Sequence, residues 1–285
     1  MFCVANYPNF AYEILQKRMK FVSLGSGSSG NCYLLQSGET TILLDAGISM
    51  RSLKKHLKDL DISLEKDISA VFVTHDHADH IKSVGNIACD CGKTIYATHL
   101  VHEGIACNRC QKIHIPSGCK AYIEKGVPVE MGNFHITAFD VPHDSHDCVG
   151  YVVEADGVRF CLITDVGHIT ETIRQQVGLA NYLVLEANHD VNMLFMGKYS
   201  PFLKERISSD KGHLNNKQAA QLLAEYATPQ LRHVWLCHLS EENNHPVLAR
   251  KTVEAVLRDY GIIPGVDFEL DILKRKTPSE MYSLE

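Results

Sequence analysis

The stretch Val71-Phe72-Val73-Thr74-His75-Asp76-His77-Ala78-Asp79-His80 constrains this chain more than any other. An apolar, β-branched run gives way there to four metal-binding side chains within six residues. Residues 71–74 have the composition of a short buried strand. The His-x-His-x-Asp-His spacing suits a loop folded back on itself, with His75 and His77 facing one cation and Asp79 and His80 facing its neighbour. Imidazole nitrogens and a carboxylate oxygen are ligands that zinc, manganese and iron accept. The bland reading, a solvated loop that happens to be rich in His and Asp, leaves the density of donors after a core strand unexplained.

The 285 residues suffice for one large domain or two small ones, and 45% hydrophobic with 22% charged residues is ordinary for a globular protein. No run of about 18 or more apolar residues occurs, and the start lacks the basic-then-apolar layout of a secretory leader. The expectation is therefore a cytoplasmic protein with no membrane contact, whose ten cysteines are reduced thiols. A net charge of −6 argues against a globally basic coat for nucleic acid, although a local basic patch would be hidden in that sum. Nothing in the sequence sets an oligomeric state.

Residues 1–18 carry no period and read as an extension, either loosely held or preceding a true start at Met19. Residues 19–285 read as one domain. Strands are expected over 20–24, 32–36 and 41–44, the last ending in Asp45-Ala46-Gly47, followed by an amphipathic helix carrying Leu53, Leu57 and Leu60. Helix, strand and helix are expected over 83–88, 95–97 and 100–106. From Tyr122 the pattern turns hairpin-like, with strands over 134–141, 150–154 and 158–164. A second βα series closes the chain: strand 182–186, helix 216–226, strand 233–237, helix 247–260, and 268–273 as the last strand. Two such halves predict an α/β protein with two mixed sheets packed face to face and helices outside.

A dinuclear site needs further donors, and three strand ends offer them: His143, with His146 as the alternative, then Asp165 and His238. An aspartate between two cations bridges them and helps hold the roughly 3.5–4 Å spacing of two-metal hydrolases. Taken together, Asp45, His75-x-His77-x-Asp79-His80, His143, Asp165 and His238 resemble the metallo-β-lactamase-fold hydrolases over residues 19 to about 245. The resemblance implies a four-layer αββα sandwich with two divalent metals at one edge. It assigns His75, His77 and His143 to one metal, Asp79, His80 and His238 to the other, and Asp165 to both, with Asp45 orienting the ligands.

Within that superfamily, Ser26-Gly27-Ser28-Ser29-Gly30-Asn31, Leu185-Glu186-Ala187-Asn188-His189-Asp190, Gly212-His213-Leu214-Asn215-Asn216 and His238-Leu239-Ser240-Glu241-Glu242-Asn243-Asn244 are similar to the YycJ/WalJ-type subgroup of nuclease-like phosphodiesterases. That likeness implies DNA or RNA as substrate. It also implies that Glu186 and His213 match a proton-donating pair of the related ribonuclease Z. The expected chemistry is attack by a metal-bridging hydroxide, with His213 as general acid and Asp79 and Glu186 beside it. For His213 the competing reading is a helix-start residue, and for Glu186 a salt-bridge partner. The Gly/Ser loop is either a plain turn or a cradle whose Ser28, Ser29 and Asn31 meet phosphate. Rival functions sharing the same metals are a cyclic phosphodiesterase of small molecules and a glyoxalase II-like thioesterase. Cys89, Cys91, Cys107 and Cys110 read either as ordinary thiols or as a structural zinc site.

Overall fold

The computed structural model describes residues 18–285, so the expected N-terminal extension lies, apart from Arg18, outside the described residues. The first half of the chain builds a meander and then parallel strands. β1 (Lys20–Gly25), β2 (Cys32–Ser37) and β3 (Thr40–Leu44) run antiparallel, and β4 (Ile68–Phe72), β5 (Thr94–Ala97) and β6 (Lys120–Tyr122) add in parallel beyond β3. The crossovers carry α1 (Met50–Asp59), α2 (Ala78–Ile81), α3 (Val84–Cys91) and α4 (His99–Cys107).

The second half mirrors that plan. β7 (Val129–Met131), β8 (Phe134–Asp140), β9 (Val149–Ala155) and β10 (Val158–Ile163) are antiparallel; β11 (Tyr182–Glu186), β12 (His233–Cys237) and β13 (Glu269–Ile272) follow in parallel. Between them lie α5 (Glu171–Leu179), α6 (Val191–Met196), α7 (Pro201–Ser208), α8 (Asn216–Tyr226) and α9 (Pro246–Asp259).

The period of two within each strand sorts side chains into layers. Val71 and Val73 point outward to Leu53, Leu57, Val84 and Val101 of the helices, while Phe72 between them points into the gap between the sheets. Val234 and Leu236 likewise pack on Val253 and Leu257 of α9, and Trp235 and Cys237 fill the middle. Strands covered on both faces need no polar side, which is why these runs are continuously apolar. Four layers result, helices on sheet on sheet on helices, as expected.

Local chemistry starts the helices where the apolar faces need them. Ser49 accepts the Ser52 N–H at the start of α1, and Asn215 forms a reciprocal capping box with Gln218 at α8. Two expectations need correction. The strand expected over 268–273 is not the last, because β14 (Tyr282–Ser283) returns to the first sheet and pairs Ser283 with Lys20 and Tyr282 with Phe21. A two-residue strand is too short to leave a period. Helices α5, α6 and α7 were also not anticipated, and in each of α6 and α7 a single residue, Leu194 and Ile207, is buried, leaving no stripe to read. Among the described residues no helix is long and apolar enough to cross a membrane.

Candidate metal centre

The polar residues of interest sit where strands end. Asp45 follows β3, His75 to His80 follow β4, His143 follows β8, Asp165 follows β10, Glu186 closes β11 and His238 follows β12. Asp45, Asp165 and His238 adopt left-handed backbone at φ of 61°, 56° and 52°. That conformation costs a non-glycine residue roughly 1–2 kcal/mol, and three such residues in one site mark a place where side-chain direction outweighs backbone comfort. Gly47 serves the same packing: a Cβ there would lie 1.6 Å from the Asp79 carbonyl oxygen, so only glycine lets the turn after β3 press against the histidine loop.

His75, His77 and His143 bring one ring nitrogen each within 4.8 Å of one another. Each ring is fixed through its other nitrogen: His75 Nδ1 by Thr74 Oγ1 (3.0 Å), His77 Nε2 by the Asp144 carbonyl (3.2 Å), and His143 Nδ1 by the Gly212 carbonyl (3.0 Å). His75 Nε2 is buried and has no hydrogen-bond partner. A buried ring nitrogen aimed at two further imidazoles is an orphan unless a cation meets it, so the donor set fits a divalent metal.

Asp79, His80 and His238 form a second group of the same tightness. His80 Nδ1 is bound at 2.7 Å by Asp45 Oδ2, and Asp45 is itself held by the Thr74 N–H (2.8 Å) and hydroxyl (2.9 Å). His238 Nε2 faces Asp79 Oδ2 at 3.3 Å, and its backbone N–H donates to Ser26 Oγ at 3.0 Å. Asp165 lies between the groups, with Oδ2 3.2 Å from His80 Nε2 and Oδ1 3.8 Å from His143 Nε2 and 3.2 Å from His238 Nδ1. Such histidine and aspartate clusters in this fold imply divalent metal ions.

Behind Asp165 stands the pair Glu186 and His213. Glu186 Oε1 meets His213 Nδ1 at 2.7 Å and His238 Nδ1 at 3.1 Å, while Oε2 accepts the N–H groups of Val166 and Leu214, both at 2.9 Å. His213 precedes the N-cap of α8 by two residues, so Asn215 caps the helix and leaves the imidazole free to face the site.

Burial and neighbouring charge act in opposite directions here. Burial pushes His75 well below its ordinary range and His143 down to about 4, keeping both rings neutral with lone pairs available. Burial would also lower His80 and His238, but the surrounding carboxylates outweigh it. Asp45, Asp165 and Asp79 hold His80 well above its ordinary range, and Asp165, Asp79 and Glu186 hold His238 up at about 10. Burial works against the Glu186 carboxylate, yet His213 and His238 bring it down to about 2.

Other expected residues fall into place differently. Ser28 and Ser29 are exposed, but Asn31 is buried, its amide directed to Asp79 Oδ2 (3.3 Å) and His80 Nε2 (2.9 Å) and its carbonyl accepting Gly27 N–H. His146 binds Asp76 Oδ2 at 2.9 Å and stays out of both clusters. No metal-spaced group among the described residues contains a cysteine, and Cys89 Sγ instead meets the His114 carbonyl. Thr74, Ser26 and the Gly212 carbonyl also hold the centre; all three stand inside quoted motifs, but the sequence assigned none of them a role.

The family profile described as "Beta-lactamase superfamily domain" matches residues 40–239. The chain is 33% identical to exodeoxyribonuclease YycJ of Bacillus anthracis over 265 residues, 92% of this chain and 98% of that protein. It is 34% identical to exodeoxyribonuclease WalJ of Streptococcus pneumoniae over 251 residues, 88% and 93% of the two chains. Among solved structures, zinc-bound PqqB from Methylobacterium extorquens superposes with a TM-score of 0.70 at 18% identity, covering 92% of this chain and 99% of that one.

Proposed function

Because the chain belongs to the beta-lactamase superfamily, in the group of the YycJ and WalJ proteins, we propose that it is a metal-dependent exonuclease acting on DNA. The observation that carries this reading is the Glu186–His213 pair at 2.7 Å beside Asp165, because phosphodiester cleavage needs a proton for the leaving oxygen. We assign two divalent cations, zinc or manganese with iron as a third choice. His75, His77 and His143 would hold one, Asp79, His80 and His238 the other, with Asp165 between. Bound there, the cations would acidify a water and neutralise phosphate charge.

The chain's own groups do the rest. Glu186 accepts from His213 Nδ1, which leaves Nε2 to face the leaving oxygen and hand it a proton. Asp79 is the most exposed member of its group, with His80 and His238 buried, and it would be the one to face the reacting phosphate. The exposed Ser28 and Ser29 offer hydroxyls to neighbouring phosphate oxygens. The cysteines among the described residues are free thiols, which suits a reducing compartment, and we assign the protein to the cytoplasm.

The test is cleavage of 5′- and 3′-end-labelled DNA and RNA, alongside a glutathione thioester, by protein purified without chelator. Stepwise shortening of DNA is expected. Turnover of the thioester without any phosphodiester cleavage would overturn the reading.

A further inference from the structure

Between Asp190 and Gly212 the chain leaves the sandwich to form α6, α7 and their connection, and the two exposed phenylalanines among the described residues lie on this segment. Phe195, Met196 and Phe202 are 56%, 87% and 78% exposed, with Tyr199 half-buried among them. In each of the two helices one residue reaches the core, Leu194 in α6 and Ile207 in α7. Apolar rings gathered on one exposed segment are unusual on a soluble protein and mark a contact surface. The same 21 residues, 191–211, carry Lys198, Lys204, Arg206 and Lys211 against Glu205 and Asp210, an excess of positive charge in a chain of net −6.

The segment is fastened to the metal centre at two points and braced internally at a third. Arg206 pairs with Asp144, through both Nε and Nη2, and Asp144 Oδ1 lies 3.4 Å from His143 Nε2. The His213 N–H donates to the Ile207 carbonyl at 2.9 Å, so the end of α7 leads directly into the proton donor. Lys204 Nζ reaches the Phe195 carbonyl at 2.8 Å and ties α6 to α7. Phe202 and Arg206 are four residues apart in α7 and share a face, so the ring of Phe202 lies one turn from the ion pair at the rim of the site.

We propose that α6, α7 and the loop between them form a stacking platform that receives the unpaired bases of single-stranded DNA as its end enters the metal centre. Phe202 and Phe195 offer faces to successive bases, and Lys198 and Lys211 meet the backbone. Aromatic faces beside positive charge are what a single strand requires, because every base has a stacking face while a duplex hides its bases. The proposal rests on the nuclease reading above for its choice of DNA.

The test uses the full chain with Asp165→Ala, so that bound DNA persists, and 5′-fluorescein oligo(dT) followed by anisotropy. Phe195→Ala with Phe202→Ala is expected to weaken oligo(dT) binding by about ten-fold or more, with a much smaller loss on a blunt duplex of equal length. Leu179→Ala, an exposed leucine on α5, is the control and should bind as the parent does. Unchanged affinity in the double variant, equal loss on duplex, or tighter binding of oligo(rU) than oligo(dT) would each overturn the platform. So would a change in oligomeric state on gel filtration without loss of affinity, which would make the patch an interface between copies. Ring-dependent binding by a native chain that cleaves no DNA would sink the exonuclease reading alone, and cleavage with ring-independent binding would sink the platform alone.

Discussion

The two walls of the metal centre are built on different plans. On the first sheet, His75, His77, Asp79 and His80 come from one short stretch after β4, the last two in the single turn of α2, propped from behind by Asp45, Thr74 and Asn31. On the second, His143, Asp165, Glu186, His213 and His238 each arrive from a separate strand end or crossover; Glu186 ties His213 to His238, and His238 in turn meets Asp165. The first wall draws all of its donors from one local stretch. The second requires the whole sheet to be in register, and it is there that two of the three left-handed site residues, Asp165 and His238, are found.

The largest effect is expected where the walls meet. Asp165→Ala removes the one carboxylate that faces both groups of histidines, and cleavage should fall by roughly 10⁴-fold, as when a member of a concerted catalytic unit is removed. Metal content by atomic emission should drop below two per chain; a variant retaining both metals and most activity would break the symmetry between the walls.

Next is the packing that holds the walls opposed. Trp235 is buried in the shared core, and Trp235→Ala should destabilise the fold by about 3–5 kcal/mol in urea titration. A loss below about 1 kcal/mol would show that the sheets hold register without it.

A smaller effect belongs to the first wall alone. Asp45→Asn keeps the shape but weakens the hold on His80 Nδ1, and affinity for one of the two cations should fall roughly 10–100-fold. Calorimetric titration of the apoprotein resolves the two events; equal weakening of both would mean that Asp45 acts on the whole site.

The smallest is a pH effect on the second wall. The Glu186 carboxyl sits at about 2 against an ordinary 4.5, so its pairing contributes stability that is fully present above about pH 4.5 and is lost as pH falls through about 2. In chelator-treated protein, the difference in Tm between the wild type and Glu186→Gln should shrink over that interval. A difference independent of pH would contradict the pairing.

These two plans also explain what could be read from the sequence. The first wall was legible because its donors are adjacent and follow an apolar run, and Asp45 closes an equally plain strand. Of the second, His143, Asp165 and His238 could be placed only because strands end before them. Glu186 and His213 entered through resemblance, since 26 intervening residues hide a 2.7 Å contact. The Gly/Ser surroundings of Asn31 suggest a phosphate loop but give no sign that its amide reaches Asp79 and His80. The Gly212 carbonyl that steadies His143 leaves no trace at all, because any residue has a carbonyl.

The most direct test of the division between a wall that binds cations and a wall that also moves the proton is His213→Ala on two substrates. On DNA, whose leaving alkoxide needs a proton, cleavage should fall about 10²–10⁴-fold with metal content unchanged. On bis(p-nitrophenyl) phosphate, whose leaving group departs as a stable anion, the fall should be far smaller. Equal losses on both substrates, or loss of a metal, would contradict the assignment and return His213 to a supporting role.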